Sequence, residues 1–203
     1  MTAISGANGV YRYGSDAFPT SSYGSSNYYV DPLFVPDSMP APPTLPTGSQ
    51  TLFESTATPA VTSWDDNSSI EVGVKVTATT AGTVHGVRFY KGPGNTGTHA
   101  GSLWGPDGLR ITPATFEYET ESGWQTVLFA TPISVVPGSM YTVSYHSNSG
   151  RYALTPNGFA TAYSRGPLQV PASGAVYRYG PTEFPAASSG HNYWVDVVFV
   201  AGG

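Results

Sequence analysis

The chain has 203 residues, with eight Lys and Arg against 13 Asp and Glu, so its net charge is −5. It has no basic cluster that could release counterions from phosphates, which excludes nucleic acid as a partner. It has no cysteine, which excludes disulfides and thiolate metal sites. It also has no apolar run near the roughly 18 residues of a membrane span, so membrane insertion is not expected.

Charged residues are 10% of the chain, against roughly 25% in typical soluble domains, while 24 Gly, 18 Pro and 14 Tyr are present. The surface must therefore consist largely of hydroxyls, glycines and aromatic rings. Such a surface suits contact with a neutral or weakly charged polymer outside the cell. The first residues do not form a signal peptide, so we expect that a secreted parent protein would carry its signal upstream.

The beginning of the chain is repeated near its end, where three short blocks recur in the same order. The pairs of blocks are 10–14 with 176–180, 18–19 with 184–185, and 27–31 with 192–196. The spacing of 166 residues from Val10 to Val176 is the length of a domain rather than of a solenoid unit. We therefore expect a tandem array in which residues 1–36 are the C-terminal remnant of a preceding homologous module.

A linker and one complete module follow that remnant. Residues 37–50 are rich in proline and lack apolar periodicity, which predicts an extended linker. Residues 51–203 then form the module. Pro32 stands where the second copy has Val197, and proline cannot donate the N–H of a central strand. We therefore expect Tyr28–Val35 to be an edge strand that pairs with an exposed edge of the complete module or of another copy.

The module consists of short runs of alternating apolar and polar residues, separated by turns that contain Gly and Pro. In the run Ile70–Thr77, every second residue is Ile or Val, which is typical of a strand with one buried face. The other runs are Val84–Tyr90, Trp124–Ala130, Ile133–Val136, Met140–His146, Arg151–Leu154, Ala175–Tyr179 and Tyr193–Val200. No helical periodicity is found. The pattern predicts an all-β fold, an antiparallel β-sandwich of the jelly-roll type.

One run in the module is specific enough to indicate a family, Arg-Phe-Tyr-Lys-Gly-Pro-Gly-Asn-Thr-Gly at residues 88–97. It is accompanied by similar segments at 53–60, 70–75, 101–104, 122–126, 132–135 and 141–146. With these segments the chain closely resembles, over residues 51–200, a bacterial module family catalogued as domain of unknown function 4082. The resemblance implies an extracellular, mostly actinobacterial accessory module that is found beside immunoglobulin-like domains and polysaccharide-degrading enzymes. The family name itself carries no activity.

Candidate ligand-binding residues are those that could present an aromatic face with polar groups beside it, as sugars require. Two groups of residues meet this description. They are Tyr90, Lys91, Asn95, His99 and Trp104 at one edge of the sandwich, and His146, Arg151 and Tyr152 around the turn at 147–150. An exposed polar turn is the alternative for both groups, and core packing is the alternative for Trp104. Five other aromatic residues, on apolar strand faces, are expected in the core, namely Phe89, Phe129, Tyr141, Tyr193 and Phe199.

Four acidic residues are candidate ligands for a structural Ca²⁺. Asp65 and Asp66 lie in a short oxygen-rich loop, and Glu71 follows in the next strand. Asp196 lies in an otherwise apolar strand, where a carboxylate needs a cation, a hydrogen-bond donor or water. By analogy with jelly-roll carbohydrate-binding modules, Asp196 with Glu54 or Glu71 could hold calcium between the first and last strands. An Asx-turn is the alternative for the loop.

Catalytic motifs find little support. Glu117, Glu119 and Glu121 alternate along the chain, which is more typical of a solvated face than of a glycosidase pair, and no nucleophile elbow or phosphate loop occurs. We therefore expect a non-catalytic, secreted module that binds polysaccharide and holds neighbouring domains of the parent protein, such as an enzyme, near their substrate. The alternative is a structural or adhesive spacer of a cell-surface protein without a sugar site.

Overall fold

The computed structural model describes residues 9–24, 26–30 and 42–202. The chain divides into two compact units, residues 1–39 and residues 40–203. In the first unit, β1 (Val10–Tyr11) and β2 (Ser21–Ser22) pair antiparallel. Pro32 and most of the segment expected to form an edge strand lie outside the described residues.

The second unit contains twelve strands among the described residues, which confirms the all-β prediction. The first six are β3 (Ser49–Gln50), β4 (Ile70–Ala78), β5 (Gly82–Lys91), β6 (Ala100–Trp104), β7 (Arg110–Thr115) and β8 (Gly123–Val135). The other six are β9 (Met140–Ser147), β10 (Tyr163–Arg165), β11 (Leu168–Val170), β12 (Ala175–Tyr179), β13 (Ala187–Ser189) and β14 (Val195–Ala201). No helix long and apolar enough to cross a bilayer occurs in this described part of the chain.

The twelve strands form two antiparallel sheets. The larger sheet has the order β10-β11-β4-β9-β6-β7, and the β12–β13 hairpin joins it because β12 also pairs with β4. The smaller sheet has the order β3-β14-β5-β8. The chain passes from one sheet to the other between β3 and β4, β4 and β5, β5 and β6, β7 and β8, β8 and β9, and β13 and β14. This repeated crossing is the jelly-roll manner of connecting a sandwich.

The core lies between the two sheets and is filled from alternate positions of the strands. Val72 and Val74 of β4, Phe89 of β5 and Val197 of β14 are each at most 1% exposed and belong to one continuous apolar cluster. Because the residues between them on each strand point the other way, this alternation fixes which side chains face outward. The five aromatic residues assigned to the core from the sequence are all buried.

The observed strands match most of the sequence predictions, and the differences have local reasons. The run predicted at Arg151–Leu154 is not a strand, because Arg151 has a positive φ of 53° that an extended chain does not adopt. The predicted run Trp124–Ala130 and all but the last residue of the run Ile133–Val136 are parts of one strand, β8, which continues through Pro132. Ser49 and Gln50, placed in the linker from the sequence, form β3 and pair with β14.

Candidate functional site

An open groove with a cavity of about 280 Å³ is lined mostly by aromatic side chains. Tyr177 and Tyr179 come from β12, and Tyr152 and Trp64 come from two loops of the same unit. The remaining lining residues are Leu154, Ser188, Ser189, His191 and Tyr193. The groove therefore combines the large apolar faces and the hydroxyls expected of a site for a neutral, ring-shaped ligand.

The register of β12 places two tyrosines side by side at the groove. Tyr177 lies opposite Val72 of β4 and Tyr179 lies opposite Ile70, so both project from the same face while Arg178 projects from the other. Their ring centroids are 6.0 Å apart, with planes at 76°.

The same edge-to-face contacts continue across the groove and link further rings. The centroid of Tyr177 lies 6.2 Å from that of Tyr193, and Tyr193 lies 5.5 Å from Tyr152. On its other side, Tyr193 lies 6.4 Å from the ring of His191. Because each ring holds the next in an edge-to-face arrangement, the five rings form a continuous aromatic wall.

Trp64 is an exposed tryptophan held in place by its backbone. Its N–H donates to the carbonyl of Tyr152 at 2.8 Å, and its carbonyl accepts from the N–H of Asp66 at 2.9 Å. The residue is nevertheless 41% exposed. A large ring that is left in solvent on an anchored backbone beside a groove is available for contact with a ligand.

Asp66 anchors the polar rim of the groove. Its Oδ2 accepts hydrogen bonds from the hydroxyls of Tyr179 at 2.8 Å and Tyr152 at 3.4 Å, and its Oδ1 accepts from the N–H of Ser68 at 2.9 Å. Burial raises the pKa of Asp66, but the hydrogen bonds from Ser68, Tyr179 and Tyr152 together lower it below its ordinary value. The bond to Asp66 and burial raise the pKa of Tyr179. At neutral pH the carboxylate is thus charged and the hydroxyls keep their protons.

Arg151 clamps the loop that carries Trp64 and Asp66. Its Nη1 lies 2.8 Å from Oδ1 of Asp65, its Nε donates to Oδ1 of Asn67 at 2.6 Å, and its backbone N–H donates to the carbonyl of Asp66 at 2.7 Å. The preceding Gly150 has a φ of 65°, and a Cβ there would lie 2.3 Å from the same carbonyl of Asp66. The site therefore needs glycine at 150 to bring the two loops together.

Three of the residues predicted to bind ligand near 90–104 meet in the interior instead. His99 and Asn95 are completely buried, and His99 Nδ1 donates to the Glu119 carboxylate at 2.8 Å while Nε2 lies 2.7 Å from Asn95 Oδ1. Lys91 Nζ lies 2.8 Å from the same carboxylate. Burial raises the pKa of Glu119, but His99 and Lys91 together lower it below its usual value. Asn95 in turn donates to the Tyr145 hydroxyl at 3.1 Å.

This network corrects two interpretations of the sequence. Glu119 was expected on a solvated face, but its side chain is only 9% exposed and lies 2.8 Å from both Lys91 Nζ and His99 Nδ1. Lys91, Asn95 and His99 hold the loop between β5 and β6 against β9 and are not presented to a ligand.

Trp104 is not an exposed platform. It is 5% exposed, its indole N–H donates to Ser144 Oγ at 2.7 Å, and its ring meets Phe184 edge-on at 5.7 Å. Core packing, the alternative for this residue, is what the structure shows. Tyr90, from the same predicted group, packs half-buried against Trp124 and Trp194, at centroid distances of 5.8 and 6.1 Å. The structure therefore does not bring this group together.

The second predicted group is divided between the interior and the groove. His146 is 8% exposed, and its Nδ1 lies 3.4 Å from Oε2 of the fully buried Glu71. The neighbouring Glu71 carboxylate raises the pKa of His146 above its ordinary value in spite of partial burial. Tyr152 lines the groove although it is only 5% exposed, and Arg151 lies in the loop clamp beside it.

The four carboxylates predicted to bind calcium have separate protein partners. Asp65 pairs with Arg151, Asp66 accepts from two tyrosines, and Glu71 contacts His146. Within residues 9–24, 26–30 and 42–202, no three His, Asp or Glu side chains gather where they could hold a metal ion. Glu54 pairs with Arg165 rather than with Asp196.

Asp196 has the partners that its buried position demands. Its carboxylate accepts from the N–H groups of Leu52 and Val197 at 2.7 Å and of Phe53 at 3.3 Å, and Arg88 Nη1 lies 3.8 Å away. Burial raises the pKa of Asp196 to about 6, against the opposing effects of Arg88 and these N–H groups. The residue joins the start of the module to its last strand directly, with Arg88 as the cation.

Most groove residues were missed at the level of sequence. Tyr193 was assigned to the core, where the structure places it at 7% exposed, and it also lines the groove. Trp64, Tyr177, Tyr179 and His191 were not singled out as ligand-binding residues. One signal was present, since Tyr177 and Tyr179 belong to the repeated Tyr-Arg-Tyr-Gly block. A repeated aromatic pair separated by one residue places both rings on one face of a strand.

The fold and the groove define a β-sandwich module with an open aromatic site at one place on its surface. The family model described as Domain of unknown function (DUF4082) matches residues 56–195, and the chain belongs to this family. The matched range includes every residue that lines the groove. No curated protein matches the chain.

Proposed function

We propose that this module binds polysaccharide, without catalysis, through the aromatic groove. The observation that carries the proposal is the continuous wall of rings from Tyr179 through Tyr177 and Tyr193 to Tyr152, with the exposed face of Trp64 beside it. Sugar rings present C–H groups on their faces, and these pack on aromatic rings at a small entropic cost.

The polar groups of the groove suit the edge of a sugar ring. Ser188 and Ser189 offer hydroxyls that donate and accept, and His191 offers ring nitrogens. Asp66, charged at neutral pH and bonded to Tyr179 and Tyr152, orients the two phenol hydroxyls. A few fixed polar groups beside the aromatic rings give orientation and specificity.

The lowered pKa of the carboxylate at the groove supports binding rather than glycoside hydrolysis. A glycosidase needs a carboxylic acid with a raised pKa facing a second carboxylate across the scissile bond. The pKa of Asp66 is lowered instead, and the neighbouring Asp65 is paired with Arg151.

A Ser-His-Glu arrangement outside the groove also favours a structural role. His146 Nε2 lies 3.2 Å from Ser69 Oγ, and Nδ1 lies 3.4 Å from Glu71. The Ser69 hydroxyl, however, donates to the Gly180 carbonyl at 3.1 Å, and Nε2 lies 3.1 Å from an acceptor, Asn148 Oδ1. Because the Ser69 hydroxyl already donates to Gly180 and Nε2 also faces an acceptor oxygen, the arrangement does not direct the Ser69 proton to His146.

The biological role that follows is that of an accessory module in a secreted, multi-domain bacterial protein. A groove of this size holds a short stretch of a polymer, so the affinity of one site is weak. Attachment of the module to an enzyme raises the effective concentration of that enzyme at its substrate, and weak single-site affinity is then sufficient.

The proposal is tested by affinity gel electrophoresis of the whole chain against neutral polysaccharides (xylan, cellulose derivatives, mixed-linkage glucan) and acidic ones (xanthan, pectin). At least one polymer should retard migration. Trp64→Ala and Tyr179→Ala should each weaken that interaction roughly tenfold to a hundredfold, as hot-spot aromatic residues do.

Tyr118→Ala is the matched control, because Tyr118 is 55% exposed, close to the 51% of Tyr179, and does not line the groove. It should migrate like the unmodified protein. If no polymer retards the chain, or if the Tyr118 and Tyr179 variants are equally weakened, the groove is not a polysaccharide site and the spacer function takes its place.

A further inference from the structure

The hairpin that carries the groove tyrosines is repeated in the first unit in conformation as well as in sequence. In the second unit, β12 and β13 pair with Val176 opposite Ser188 and Tyr177 opposite Ala187. In the first, β1 and β2 pair with Val10 opposite Ser22 and Tyr11 opposite Ser21. The register is identical when 166 residues are added to each number.

The backbone repeats this agreement at two unusual positions. Gly14 and Gly180, which follow the two Tyr-Arg-Tyr blocks, have φ angles of 103° and 99°. Tyr29 and Trp194 have φ angles of 52° and 56°, in the left-handed region that non-glycine residues seldom occupy.

The same side-chain bond holds each of these strained positions. The N–H of Tyr29 donates to Asn27 Oδ1 at 2.8 Å, and the N–H of Trp194 donates to Asn192 Oδ1 at 2.8 Å. The Asn-Tyr-aromatic block is thus repeated because it builds one particular turn.

The aromatic wall is repeated as well. Tyr11 lies 5.5 Å from Tyr13 edge-on and 6.1 Å from Tyr28. The corresponding rings, Tyr177 with Tyr179 and Tyr177 with Tyr193, lie 6.0 and 6.2 Å apart. Residues 9–30 therefore carry three of the five rings of a groove wall in the arrangement that the complete module uses.

The two hairpins differ in what covers them. Val176 is fully buried and Trp194 is 7% exposed, whereas Val10 is 45% and Tyr29 is 89% exposed. In the complete module β12 pairs with β4 along five residues, while β1 and β2 form a sheet of two strands. Phe184 packs on Trp104, and its counterpart Phe18 is 82% exposed.

We propose that residues 9–30 are the groove hairpin of a second module of this family, built to close on a strand of the β4 type and to form a second polysaccharide groove. In β4, Ile70 lies opposite Tyr179 and Val72 opposite Tyr177. The β4-type strand of the second module therefore has branched apolar residues at the positions opposite Tyr13 and Tyr11. That the second groove binds polysaccharide rests on the proposed function, whereas the equivalence of the two hairpins does not.

The test is a graft within the full chain in which residues 9–30 replace residues 175–195. Tyr11, Tyr13 and Tyr28 then take the places of Tyr177, Tyr179 and Tyr193 beside the natural β4. The graft should fold cooperatively and melt within about 10 °C of the parent, because it loses only a few contacts such as the 2.8 Å bond from Trp194 Nε1 to Thr155. A second graft that carries Tyr29→Trp restores that bond and should melt closer to the parent.

The control graft begins at Val10 instead of Gly9, so that the side chains of the grafted β1 and β2 move by one position and turn to the opposite face, while residues 27–30 keep their places. It should not fold, because a one-residue slip exposes the apolar set. If both in-register grafts melt no higher than the slipped one, the hairpins are not equivalent and the proposal is overturned.

The ligand is tested on the folded graft with the polymer that retards the parent. Affinity within about tenfold of the parent, lost when Tyr13→Ala is added, supports a second groove. A graft that folds but no longer binds, although the parent binds, refutes the second groove and leaves the proposed function intact. If the parent binds none of the polymers, the proposed function and the polysaccharide groove both fail, and the melting curves still decide whether the hairpins are equivalent.

Discussion

The groove and the buried network around His99 are built from the same kinds of residue. Each combines tyrosine, histidine and a carboxylate whose pKa is lowered by its hydrogen-bond donors. They differ in solvent access, since His99 and Tyr145 are fully buried, whereas Tyr179 is 51% and Trp64 is 41% exposed. Buried polar groups fix a loop, and their hydrogen-bond donors and acceptors are already used within the protein. Half-exposed polar groups can exchange bound water for a ligand.

The tryptophans should show the largest contrast between the two kinds of environment. Trp104→Ala removes a buried ring and leaves Ser144 and Phe184 without their partner, so we expect a loss of about 3–5 kcal/mol of unfolding free energy. Trp64→Ala should cost less than about 1 kcal/mol, because the ring is already partly in water. Urea unfolding followed by tyrosine fluorescence measures both, and equal losses would contradict the comparison.

The next largest loss of stability is expected at Asp196, the carboxylate in the last strand. Asp196→Asn replaces an acceptor of three backbone N–H groups by a side chain with one oxygen, and it leaves Arg88 buried without its counter-ion. We expect a loss of about 3–4 kcal/mol. Asp65→Asn is the control, since that side chain is 90% exposed, and it should change stability by less than about 0.5 kcal/mol. Similar melting temperatures for the two variants would show that the Asp196 contacts do not matter.

The histidines give a third contrast. His99→Ala leaves Glu119 with Lys91 as its remaining cationic partner and removes one of the hydrogen bonds of the buried Asn95, which should cost about 2–3 kcal/mol. His191→Ala should leave stability nearly unchanged and weaken polysaccharide binding several-fold, because His191 lines the groove. Differential scanning calorimetry and affinity electrophoresis of both variants separate the two effects. A His191 variant that loses stability but not affinity would reverse the assignment.

Local patterns predicted the strands better than they predicted the site. The alternation in Ile70–Thr77 and the apolar Tyr193–Val200 run specify strands by themselves, because burial of one face requires a period of two. Strands β6 and β7 were missed, since Ala100–Trp104 contains glycine and lacks alternation, and Arg110–Thr115 is mostly exposed. Whether a polar side chain is buried depends on its neighbours across the sheet, and these are far away in the sequence.

The residues around Trp104 illustrate that limit. A tryptophan between glycine-rich segments resembles an exposed platform in the sequence, but β6 pairs with β9 and so brings Ser144 to the indole N–H. Phe184, 80 residues further along the chain, then covers the ring. The groove was hidden for the same reason, because Trp64, Tyr152 and Tyr177 meet only through tertiary pairing.

A smaller effect should appear in the pH dependence of stability. The Glu71 carboxylate raises the pKa of His146 in the folded protein, so protonated His146 contributes its full stabilisation at pH values below the unfolded pKa near 6.5. That contribution is lost as the pH rises through the folded pKa. The melting temperature should therefore fall as the pH rises above 6.5, and His146→Gln should flatten this part of the curve. An unchanged slope in the variant would assign the dependence to another group.

The smallest expected effect is at the groove itself, where Tyr179→Phe removes one hydroxyl. That hydroxyl donates to Asp66 Oδ2 at 2.8 Å, but the ring is 51% exposed and water can replace the bond, so stability should change by less than about 1 kcal/mol. The pKa of Asp66 should nevertheless rise, because one of the donors that lower it is gone. Polysaccharide binding should weaken about two- to fivefold, since the ring stays but its orientation loosens. NMR titration of the Asp66 carboxyl measures the first change, and Tyr118→Phe is the control for both. If the pKa rises and affinity is unchanged, the Asp66 hydrogen bond orders the rim without contributing to binding.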